Sequence, residues 1–197
     1  MTSNDQSLMS HFLDLAARHA DTIRARSRAL ADEVLSCRAS FVTCGVGTSS
    51  YAAMKLAHLL GCYGIRAAYR DVLELGHGQM GSLGKDDTIC AITLSGKTRD
   101  LVELFHVASR IGLRRIAVCG RPQSSLAAAS NILISIDFAV DVDPDHGVAT
   151  ISSALISLLV SETCAVVSGR KALSSEDLLT NHPFGSVAER LKLISGH

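Results

Sequence analysis

Between residues 40 and 136 the hydrophobic period switches repeatedly between two and nearly four, and this alternation constrains the fold more than any other feature. Residues 40–44 (SFVTC), 65–69, 88–93 (TICAIT), 115–119 and 132–136 are short apolar runs with the length and β-branched content of buried strands. Helical patterns separate them. Residues 48–61 place Ala52, Ala53, Leu56, Leu59 and Leu60 on one side, residues 98–111 do the same with Leu101, Leu104, Phe105 and Ala108, and residues 124–129 form a shorter segment. Strand followed by helix, repeated, predicts a parallel sheet covered on both faces, an α/β/α sandwich of three layers. Right-handed crossovers leave few topologies, and the flavodoxin-like order 2-1-3-4-5 is the expected one.

The flanks read as additions to that core. Residues 6–35 are an amphipathic helix or helix pair through Phe12, Leu15, Ala16, Ala20, Ile23, Leu30 and Val34. A long apolar helix is expected over residues 150–167, and short helices near 175–179 and 185–193. One domain therefore spans 1–197, with a helical segment at 1–37, an α/β core at 38–170 and a tail at 171–197. Residues 148–167 are long enough for a membrane span, but Thr150, Ser152, Ser153, Ser157, Ser161, Glu162 and Thr163 fit a buried core helix better.

Lysine plus arginine balances aspartate plus glutamate, so the formal net charge is zero, which argues against nucleic-acid binding. Six cysteines include no Cys-x-x-Cys pair, and Cys44, Cys90 and Cys119 lie in strand-like runs, as reduced, buried thiols do. Neither they nor the His and Asp residues have the spacing of a metal site. With a polar N-terminus and no signal-peptide pattern, the expectation is a cytoplasmic protein without a membrane segment, metal or cofactor.

Chemistry is expected where the strand order reverses, beyond the carboxyl ends of strands 1 and 3. Strand 1 runs into Gly45-Val46-Gly47-Thr48-Ser49-Ser50, and strand 3 into Thr93-Leu94-Ser95-Gly96-Lys97-Thr98. Both turns pair glycine with hydroxyl side chains and open a helix, and so offer backbone N–H groups, neutral donors and a helix N-terminus to an anion. Either turn alone reads as an ordinary N-cap, worth about 1 kcal/mol; two side by side make a phosphate cradle. Dinucleotide binding is the competing reading, with Gly45-x-Gly47 as half a fingerprint and Asp71 as the ribose-binding acid, but Ser50 occupies the third glycine position.

These residues resemble the sugar isomerase (SIS) domain family, and are similar in particular to the isomerase domain of bacterial arabinose-5-phosphate isomerases. The resemblance covers about residues 40–193 and rests on Gly45-x-Gly47-x-Ser49, Glu74-x-x-His77-Gly78-x-x-Gly81, Ser95-Gly96-x-Thr98 and Asn181-His182-Pro183-x-Gly185, with Asp143-Pro144 and Thr150-x-Ser152 before the long helix. It implies phosphate held by Ser49, Thr93, Ser95 and Thr98, interconversion of an aldose phosphate and a ketose phosphate, and a homodimer or homotetramer with active sites shared between subunits. It also implies that Thr48, Lys97 and Asp141 replace a usual lysine, glutamate and glutamate. Lys97 would then restore one cation beside the phosphate.

Aldose–ketose isomerisation moves a proton between adjacent carbons through an enediol, and histidine titrates in the right range to carry it. His182, fixed in an extended loop by Pro183, is the first candidate and Gly-flanked His77 the second. Asp141, Asp143 or His146 would serve the sugar hydroxyls or a second proton transfer, or else cap helices. Gly47, Thr48, Gly96 and Lys97 complete the expected substrate contacts. Arg70, Asp71 and Arg121 would ring the pocket. A non-catalytic phosphosugar sensor is the rival reading, and a lyase or epimerase using enediol chemistry a third.

Overall fold

Five parallel strands, β1 (Phe41–Gly45), β2 (Ala67–Tyr69), β3 (Thr88–Thr93), β4 (Arg114–Cys119) and β5 (Ile132–Ser135), lie in the order β2-β1-β3-β4-β5. Around them run α1 (Leu8–Arg18), α2 (Ala20–Ser36), α3 (Thr48–Cys62), α4 (Val72–Gly76), α5 (Arg99–Ile111), α6 (Ser125–Ala129), α7 (Ile151–Lys171), α8 (Ser175–Asn181) and α9 (Gly185–Ser195). The structure, a computed structural model, describes residues 7–144 and 147–195. The expected strand order is present.

The strands are apolar without a break because both faces are covered. Along β3, Cys90 and Ile92 point into the core shared with α1, α2, α3 and α7, while Ile89 and Ala91 point into a second core with α4, α5 and α6. Cys44, Cys90 and Cys119 are fully buried, and burial pushes the Cys44 thiol up to about 12, so it stays protonated as a small apolar group. The amphipathic N-terminal segment is a helix pair whose buried residues, Ile23, Leu30 and Val34 among them, join the first core. Helix α7 is long and apolar enough to cross a membrane by length and composition, yet it packs against α2 and α3 with Leu155 and Leu159 fully buried. Its backbone accepts a hydrogen bond from the buried Ser27 hydroxyl at Leu159 O, 3.2 Å away.

Three details differ from expectation for local reasons. Strand β2 begins at Ala67 rather than residue 65, because Ile65 N still donates to Leu60 O (3.0 Å) and Gly64 takes φ 68°. Those residues close the end of α3 in the manner of a left-handed helix cap. Helix α4 went unread because five residues are too few to display a period; Asp71 nucleates it by accepting from Leu73 N at 2.9 Å. Asp71 is thereby a cap rather than a ribose acid. Helix α7 continues to Lys171 and ends on Ala172, in the left-handed region at φ 47°.

Candidate functional site

The first turn is built by a close approach. A Cβ on Gly45 would lie 2.9 Å from Ser49 O, so only glycine lets the first turn of α3 settle onto the end of β1. Gly47 then takes φ 59° as the N-cap, with no side-chain cap, and Thr48 and Ser49 open the helix. Ser50 Oγ donates back to Gly47 O at 2.7 Å and holds the turn, while Thr48 and Ser49 line the adjoining cavity.

The second turn lies alongside, since β1 pairs with β3 and Gly45 stands opposite Ile92. Thr93 is buried, and its Oγ1 accepts from Gly96 N at 3.3 Å; Ser95 Oγ accepts from Lys97 N at 3.2 Å. Gly96 at φ 64° turns the chain so that its carbonyl accepts from Leu126 N at 3.1 Å. Thr98 caps α5 without a side-chain hydrogen bond. Both expected turns are therefore present and adjacent, but Thr93 serves the turn's own closure. Lys97 is exposed and lies outside the cavity lining.

Beside the two turns, between α3 and α7, is a cavity of about 380 Å³ lined by Thr48, Ser49, Lys55, Leu94, Ser153 and Ser157 among others. Its cation is Lys55, whose Nζ donates to Ser157 Oγ (2.7 Å) and Ser157 O (3.3 Å). Sequence reasoning passed over Lys55. The available signal was its position seven residues after Thr48, two turns along the same helix face.

The start of α7, which forms the opposite wall, is organised by Asp143. Its carboxylate accepts from Thr150 N and Ser152 N, each at 2.9 Å, and from the Thr150 and Ser152 hydroxyls. Burial acts to raise the carboxyl pKa, but the hydrogen bonds from Ser152 and Thr150 outweigh it and hold the group below its ordinary value. A folded pKa below the unfolded one gives a contribution to stability that is complete above the usual aspartate range and is lost as pH falls through the lowered value. Asp143→Asn is accordingly expected to cost about 1–3 kcal/mol at pH 7. The gap between variant and native protein should narrow on acidification below about pH 4, the ordinary aspartate range. Urea melts at both pH values check this; a constant gap would mean that the charge is not what Asp143 contributes.

The remaining candidates are dispersed in one copy of the chain. Asp141 takes φ 57° and receives both carboxylate contacts from Arg121 Nη2 at 3.1 Å, in a pair whose side chains are 76% and 51% exposed. His77 caps the end of α4 and lines a different hollow of about 440 Å³, with Asp100 and Glu103 on its far side. His182 ends α8 and lines a third hollow, with His58, Cys62 and Tyr69; among the described residues its buried Nδ1 has no hydrogen-bond partner. Asn181 docks this motif by donating to Cys62 O at 3.0 Å. Asp145 and His146 lie outside the described residues. His19, expected within a helix, instead joins α1 to α2 and faces Phe138 with ring centroids 6.0 Å apart. Among the described residues no group of three His, Cys, Asp or Glu side chains is placed to hold a metal ion.

Comparison with known proteins places these observations. The SIS domain family model matches residues 34–167. The arabinose 5-phosphate isomerase KdsD of Pseudomonas aeruginosa is 29% identical over 161 residues, which cover 81% of this chain and 49% of that protein. The chain thus spans about half the length of the curated relatives it matches. Among solved structures, c3406 of Escherichia coli CFT073, in complex with arabinose 5-phosphate, superposes with a TM-score of 0.79 at 23% identity over 93% of this chain and 100% of that one. The sugar isomerase domain of the RpiR transcription factor from Sphaerobacter thermophilus does so with a TM-score of 0.67 at 18% identity, over 90% and 97% of the two chains. Both share the fold.

Proposed function

The chain belongs to the SIS domain family, and from that premise we propose that it is a phosphosugar isomerase, arabinose-5-phosphate isomerase-like, acting through an enediol. The observation that carries this reading is the hydroxyl-lined cavity with a single lysine, set directly beside two adjacent glycine–hydroxyl turns. In this reading Ser49, Ser95 and Thr98, with the free N–H groups of two helix starts, hold the phosphate, and the sugar extends into the cavity. Thr93 keeps the second turn closed. Gly47 and Gly96 supply the backbone shape, and Thr48 flanks the sugar.

Proton transfer is assigned to His182 and His77, with Asp141 oriented by Arg121 toward the sugar hydroxyls. Neither histidine lines the cavity of its own copy, so the reading includes a homodimer or homotetramer in which a neighbouring copy brings them to it. Exposed apolar side chains, Phe184 at 87%, Tyr51 at 71% and Leu73 at 61%, support such burial next to both motifs. Cytoplasmic location fits this metabolite chemistry.

Incubation with pentose and hexose phosphates in deuterated water tests the reading. The expected result is deuterium at C1 or C2 of one sugar class, read by NMR. Thermal stabilisation by a phosphosugar without label would instead establish the second reading, a phosphosugar sensor. That alternative is favoured by the separation of the histidines from the cavity within one copy and by the likeness to the RpiR transcription factor. The absence of both effects would refute both.

A further inference from the structure

Lys55 is the one residue of the cavity lining that bears a charge, and nothing in the phosphate cradle accounts for it. Its ammonium is half-buried, its hydrogen bonds go to the neutral Ser157 hydroxyl and carbonyl, and among the described residues no carboxylate lies within ion-pair distance of it. A cation held away from water without a counter-charge is costly unless a ligand supplies one. Two of its three protons are engaged, which leaves the third for a ligand oxygen.

Its position states which part of the ligand that is. Thr48 and Ser49 start α3 at the turn, and Lys55 lies two helical turns further along, about 10 Å at 1.5 Å per residue. Ser157, its anchor, lies six residues into α7. The ammonium is therefore fixed toward the end of the cavity remote from the cradle, at a separation that suits the length of an open-chain pentose or hexose phosphate. With the phosphate at the turns, the carbonyl end of the sugar faces Lys55.

We infer that Lys55 is the electrophile of the site: its ammonium donates to the oxygens at C1 and C2 and stabilises the negative charge that develops there in the enediolate. This rests on the phosphosugar reading above. The step balances as a proton shift. A base removes the proton from the carbon bearing the hydroxyl, the electron pair becomes the carbon–carbon double bond of the enediolate, and the carbonyl π pair moves onto the oxygen facing Lys55. Reprotonation at the neighbouring carbon completes the exchange without oxidant or reductant. A donor fixed in advance by Ser157, in a cavity otherwise made of hydroxyl and apolar groups, needs no reorganisation as that charge appears.

The test separates charge at the sugar's end from binding of the phosphate. A five-carbon phosphorylated aldonate, which carries a permanent carboxylate at C1, is compared with the matching phosphorylated alditol, which carries a hydroxyl there, by titration calorimetry. The intact protein is expected to bind the aldonate more tightly. Lys55→Met is expected to lose about a hundredfold in aldonate affinity, the scale of one oxyanion donor, and to keep its alditol affinity. Lys55→Gln, which retains a donor toward Ser157, keeps the fold comparable and should lose the preference equally. Lys55→Arg should keep part of it. If the intact protein does not distinguish the two ligands, or if Lys55→Met still prefers the aldonate, the assignment is overturned while the phosphosugar reading stands. If neither ligand binds the intact protein, both fall.

Discussion

Gly96→Ala should lower the melting temperature by about 5–20 °C, the consequence of a loss of about 2–5 kcal/mol in a chain of this size. Two causes add. The backbone stands at φ 64°, where a side chain is strained, and the new Cβ would overlap Ser124 Oγ and lie 2.5 Å from Cys119 Sγ. Neither neighbour is free to move: Ser124 Oγ accepts from Ala127 N at 3.3 Å and caps α6, and Cys119 Sγ accepts from Arg121 N at 3.4 Å. Gly47→Ala is the internal control. It has a similar φ of 59° but nothing within 4 Å of its Cβ, so it should show the backbone cost alone, about 1–2 kcal/mol. Equal melting temperatures for the two variants would mean that the second turn is not packed as described.

The legibility of the chain follows the physics of each element. Strands β1, β3 and β4 were readable because both faces are buried, so residues such as Ile89 and Cys90 are apolar in succession. The adjacency of the two turns was readable because the strand order fixes it. The role of Thr93 was not, because a hydroxyl in a turn looks the same whether it faces a ligand or closes its own loop. Lys55 was invisible because its meaning depends on Ser157, one hundred and two residues away in sequence. The separation of His77 and His182 from the cavity was equally hidden, since motif order carries no information about which hollow a loop enters.

His182→Ala should reduce deuterium exchange into the substrate by about 10²–10⁴-fold, the range for a positioned acid or base. Affinity for the phosphorylated alditol should stay within a few-fold, because the cradle and Lys55 lie elsewhere. The imidazole is docked only through its neighbour Asn181 and leaves Nδ1 without a partner among the described residues, so its removal breaks no hydrogen bond there. A complementation experiment extends the test. Chains carrying His182→Ala and chains carrying Lys55→Met, each inactive alone, should regain part of the activity after unfolding and refolding together. Hybrids would then pair an intact cavity from one copy with an intact histidine from the other. Unchanged exchange in His182→Ala would remove this residue from the chemistry, and failure of the mixture to recover would place both residues in the same copy's site.

Helix α7 serves two masters along its length. Leu155 and Leu159 fill the centre of the molecule, while Ser153 and Ser157 face the cavity. Because these sets occupy different faces of one rigid rod, the serines can be exchanged for larger or differently polar residues without disturbing the interior. The chain thus holds a small palette of positions through which descendants of this sequence can drift toward new ligands while inheriting the same scaffold.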